Sequence, residues 1–105
     1  NRKIGERKLM QAEEIIEMII GVCRQHSANC AILFGSRAKG TSTERSDIDI
    51  AVTGVKDFSV MQEDLEALPT LFKVDLVNLD TCRNQALLED IKQYGKKIYE
   101  KVSVL

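Results

Sequence analysis

Along the chain the apolar positions change period several times, and each change predicts an element. From about Glu6 to Gln25, Ala12, Ile16, Ile19 and Cys23 recur at steps of four and three, which puts them on one side of a helix. CAILFG, Cys30 to Gly35, is a short apolar run stopped by glycine and predicts a buried strand. SDIDIAVTG, Ser46 to Gly54, alternates instead, with Ile48, Ile50 and Val52 on one face and Asp47, Asp49 and Ala51 on the other. In the following SVMQEDLEALP, Met61, Leu65 and Leu68 form a helical stripe; Ser59 and Gln62 stand at capping-box spacing, and Pro69 lies past the end. LFKVDLVNL, Leu71 to Leu79, predicts a third strand. DTCRNQALLEDIKQYG predicts a helix with Asp80 or Thr81 as N-cap, Gly95 as C-cap, and Leu87, Leu88, Ile91 and Tyr94 as its stripe. The closing KKIYEKV is expected to be a short edge strand. Strands alternating with helices in a chain this short predict an α+β (α/β mixed) fold, a small sheet backed by helices.

Composition narrows the class. With 105 residues the chain has room for one modest core, so residues 1–105 are expected to form a single domain. The 44% hydrophobic and 30% charged content is that of a soluble globular protein. A net charge of -1 argues against general nucleic-acid binding. Cys23, Cys30 and Cys82 with the single His26 lack zinc spacing and read as reduced thiols of a cytosolic protein. No apolar run nears the ~20 residues of a membrane span and no signal-peptide pattern opens the chain, so no membrane association and a cytoplasmic location are expected.

The chemistry concentrates in FGSRAKGTSTERSDIDIAV, Phe34 to Val52. Asp47 and Asp49, two apart on a strand, project on one side roughly 6–7 Å apart. Like charges so close repel unless a cation lies between them. Mg²⁺, which takes hard oxygen ligands and shares its shell with phosphates, suits such a pair. Upstream, Gly35 lets the backbone approach a ligand closely, and Ser36 opens a helical turn whose first N–H groups favour phosphate. Three residues on, Lys39 projects from the same side as Ser36. Gly35, Ser36, Lys39 and the adjoining Arg37 are the nucleotide-binding candidates, although Arg37 points elsewhere on the turn and also suits a structural or partner-facing role. A third carboxylate would complete a two-metal site. Asp75, on the polar face of an otherwise apolar strand, fits that place or an ion pair with a neighbouring Lys or Arg. Its rival Asp80 is accounted for by helix capping. Cys30, Tyr94 and Tyr99 read as packing and His26 as a helix-end residue.

Gly35-Ser36, ten intervening residues, then Asp47-Ile48-Asp49 resembles the signature of the DNA polymerase beta-like nucleotidyltransferase superfamily. The short length and the GSRAKG…SDIDIAV…VDLV wording are similar to its minimal nucleotidyltransferase (MNT) branch. The resemblance spans about Ala12 to Tyr99. It implies a mixed three-stranded core sheet of order 1-2-3 with helices on one side. It also implies a phosphate-holding turn at Gly35 and Ser36 with Lys39 as its basic residue, and metals on Asp47, Asp49 and Asp75, with Asp75 at the attacking hydroxyl. The implied activity is Mg²⁺-dependent transfer of a nucleotide, AMP by family default, from an NTP to a hydroxyl with release of pyrophosphate, on two metal ions. The implied role is that of an antitoxin that binds and adenylylates a HEPN-type RNase toxin. Two alternatives are a nucleotide- and partner-binding antitoxin module with little catalysis, and a small-molecule transferase of the aminoglycoside-modifying type, disfavoured because the chain has no room for an acceptor domain. A homodimer is left open.

Overall fold

The computed structural model describes residues 11–102. One of its two interior strands is the alternating segment, β2 (Ile48–Thr53), which pairs antiparallel with the other, β1 (Cys30–Phe34), and parallel with β3 (Val74–Asn78). β4 (Lys96–Glu100) adds antiparallel to the free edge of β1. The sheet is therefore mixed, as expected, but among the described residues it has four strands, in the order β3-β2-β1-β4, rather than three. The closing segment supplies the difference: Ile98 and Tyr99 reach the core, and a register shift at Ala31/Ile32 lets the strand follow β1.

Helices cover both faces, not one. α1 (Ala12–Gln25) and α3 (Phe58–Glu66) bury Ile15, Ile19, Met61 and Leu65 against Ala31, Leu33, Ile48, Ile50 and Val52. α4 (Gln85–Tyr94) lies on the opposite face, where Ile91 packs with Phe34 and Ala51. β2 can serve both helical layers because its side chains alternate and Ala51 leaves space for α4.

Two predicted boundaries move. The predicted turns of α1 before Gln11 lie outside the described residues. α3 is capped by Asp57, whose carboxylate accepts from the Val60 N–H at 3.2 Å; Ser59 is inside the helix. A carboxylate at a helix start also meets the positive end of the helix dipole. α4 begins at Gln85, capped by the Asn84 side chain on the Leu87 N–H (3.1 Å), not by Asp80 or Thr81. The residues before it are held to the sheet instead: Leu79 N–H donates to Val52 C=O at 2.9 Å and Gly54 N–H to Asp80 Oδ2 at 2.7 Å. Gly95 follows α4 as predicted, but with φ -62 and ψ 147 it leads straight into β4.

Candidate active site

Gly35 turns the chain out of β1 with φ 74 and ψ -156, a conformation that needs glycine. The site needs glycine for a second reason: a Cβ there would overlap the Asp49 carboxylate. The turn thus passes directly over Asp49. On the other side, parallel pairing sets Asp49 opposite Asp75, so both carboxylates leave the same face of the sheet from adjacent strands. Asp47 comes just before β2 and is exposed.

The electrostatics follow from this crowding. Burial, then the hydrogen bond and charge of Asp75, then the charge of Asp47, push the Asp49 carboxyl up to about 6, and Lys73 opposes them weakly. Two carboxylates crowded this closely mark a place where a cation is favoured. Lys73 Nζ lies 3.8 Å from Asp75 Oδ1, so Asp75 has a lysine neighbour as well as its acidic one. Among the described residues no three His, Cys, Asp or Glu side chains converge closely enough to cage a metal alone. Two hard carboxylate donors still fit an ion such as Mg²⁺, which completes its shell from phosphate and water.

Ser36 is the first residue of the short helix α2 (Ser36–Lys39), whose first N–H groups have no intrahelical acceptor. The two cations after it are engaged elsewhere. Arg37 donates from Nη2 to the Ser46 carbonyl at 2.8 Å and to those of Thr43 and Glu44 at 3.4 Å each, and from Nε to Ser46 at 3.3 Å. Its guanidinium also lies 5.2 Å from the Phe72 ring centre. Arg37 therefore ties the loop before β2 to the segment before β3, and it holds both acid-bearing strands in place. Lys39 bonds Asp90 of α4 at 2.9 Å, with its ammonium 5.2 Å from the centre of the Tyr94 ring. The Asp90 hydrogen bond, chiefly, raises the Lys39 pKa above its ordinary value. Tyr94, expected in the packing, stays half-exposed and carries the lysine.

Away from this cluster the sheet end is pinned by Asp80, as described, and His26 at the C-cap of α1 bonds Asp64 of α3 at 2.5 Å. Asp90 and Tyr94 were not legible as site residues. On α4 they flank Ile91 in the helical pattern, and nothing local distinguishes them from a solvated acid and a packed ring.

The sequence profile described as Polymerase beta, Nucleotidyltransferase matches residues 17–103. Among solved structures, a toxin-antitoxin with AMP-PNP is 29% identical with a TM-score of 0.63, over 86% of this chain and 74% of that one. A mutant of the toxin-antitoxin MntA-HpeT is 28% identical with a TM-score of 0.62, over 81% and 73% of the two chains. A protein from Shewanella oneidensis, 20% identical with a TM-score of 0.59 over 87% and 74%, shares the fold. No curated protein matches the chain.

Proposed function

The chain belongs to the polymerase beta nucleotidyltransferase family, and we propose that its reaction is transfer of AMP from ATP to a hydroxyl of a toxin protein, with release of pyrophosphate. The acceptor oxygen attacks the α-phosphorus, the bond from that phosphorus to the bridging oxygen breaks, and pyrophosphate leaves with the electron pair. The turn at Gly35 and the Ser36 hydroxyl and N–H groups hold the β- and γ-phosphates, and Lys39 adds its charge there. Asp47, Asp49 and Asp75 would hold Mg²⁺, two ions in the full site, and the metal would supply positive charge to offset that of the triphosphate and of the attacking and leaving oxygens. Asp75, next to where the acceptor arrives, takes the proton of the attacking hydroxyl.

The observation that carries this reading is the apposition of Asp49 and Asp75 with the Gly35 turn packed directly against Asp49, two crowded acids beside a glycine turn. The toxin-antitoxin neighbours, one of them solved with an ATP analogue, support a nucleotide substrate and a toxin acceptor. A HEPN-type RNase is the acceptor that the MNT resemblance implies.

Two measurements test the proposal. Mg²⁺ with ATP is expected to raise the thermal midpoint of the wild type, and Asp47→Asn or Asp49→Asn to abolish the increase. Labelled ATP incubated with the chain and the toxin encoded beside it is expected to label the toxin. A stabilisation unchanged in both mutants refutes the metal assignment, and a tight complex without label refutes transfer in favour of a binding module.

A further inference from the structure

Lys39 stands one helical turn after Ser36, yet its ammonium is turned toward α4. It bonds Asp90 at 2.9 Å and lies 5.2 Å from the ring centre of Tyr94, well inside cation–π range. The pair is partly shielded, with Lys39 37% and Asp90 29% exposed. An ammonium has three donors and one charge. A carboxylate and a triphosphate on the same ammonium repel each other, so occupancy by one weakens the other.

We propose that Asp90 is a built-in competitor for the phosphate-binding lysine: α4 keeps Lys39 until a nucleoside triphosphate takes the ammonium over. This rests on the phosphate role given to Lys39 above and adds a residue to it. It also makes α4 a reporter of the nucleotide, because the transfer of Lys39 leaves Asp90 without its partner and uncovers the Tyr94 ring. Nucleotide occupancy is thereby coupled to the exposed Tyr94 ring on α4.

Calorimetric titration with Mg–ATP of the wild type, Asp90→Asn, Lys39→Met and the double variant tests this. Asp90→Asn is expected to bind roughly twofold to fivefold more tightly, the size of a partly exposed ion pair. That gain is expected to disappear in the Lys39→Met background. The chain has no tryptophan and only Tyr94 and Tyr99, so isotope-labelled tyrosine resonances give a second readout that a merely structural contact leaves unmoved. Those of Tyr94 are expected to shift on nucleotide addition in the wild type and to stay fixed in Lys39→Met. Equal or weaker binding by Asp90→Asn, a gain that survives Lys39→Met, or stationary Tyr94 resonances in a wild type that binds nucleotide each overturns this proposal alone. A wild type that binds no nucleotide overturns the functional reading and this proposal with it.

Discussion

On β2, Ile48, Ile50 and Val52 face α1 and α3 and are fully buried, whereas Asp49, between the first two, lies on the α4 face in partial contact with solvent. The same strand builds two surfaces with opposite physics. The α1/α3 face is continuous and dry, with Ile15, Ile19, Met61 and Leu65 closing over it. The α4 face has a smaller apolar cluster, with Phe34, Ala51 and Ile91 buried and Ile32, Val77, Leu79 and Leu87 only partly so, and it also carries Asp49 and Asp75. Crowded carboxylates are tolerable there because the first face carries the stability, and a rigid sheet holds them at fixed separation.

That division yields contrasting substitutions. The largest effect on folding is expected from Ile50→Ala. It opens a cavity in the fully buried face and lowers unfolding free energy by about 2–5 kcal/mol, readable by urea titration. If the loss is below that range, the dry face is not what holds the sheet. On the opposite face Asp75→Ala is expected to leave the fold standing and to slow transfer by about a hundredfold or more, the range seen when a group that stabilises a transition state is removed. Asp80→Ala, which loses only the bond to Gly54, is expected to keep transfer; the reverse pattern would make Asp80 the third acid.

The smallest effect is a pH dependence set by Asp49. Its carboxyl titrates at about 6 in the fold against an ordinary 3.8, so the folded state holds the proton longer than the unfolded chain. Stability is therefore expected to fall as pH rises from about 4 to 6. Asp49→Asn should flatten that decline. Mg²⁺, which competes with the proton, should stabilise the wild type more at pH 7 than at pH 5. A midpoint indifferent to pH over this window in both proteins would contradict the crowding of Asp49 and Asp75.

Much of this layout was written locally. The strict alternation of residues 46–54 set Asp49 on the face opposite Ile48 and Ile50, and Asp75 was assigned to the polar face of its strand by the same period. The helix boundaries were less legible. Asp80 and Asn84 are both good capping residues, and only the bonds of Leu79 and Asp80 to Val52 and Gly54 decided that Asn84 caps α4. The fourth strand was marked as an edge, but its place beside β1 depended on a neighbour far away in the chain.

What the sequence determined by itself is the parts of the candidate site: a glycine-serine turn, a pair of acids two residues apart and a third acid on another strand, because period and residue type are local properties. What only the tertiary structure decided is where charges meet. Parallel pairing brought Asp75 against Asp49, and the docking of α4 turned Lys39 from Ser36 toward Asp90 and Tyr94. Electrostatic energy depends on distance through space, and residues fifty positions apart have none until the chain is packed.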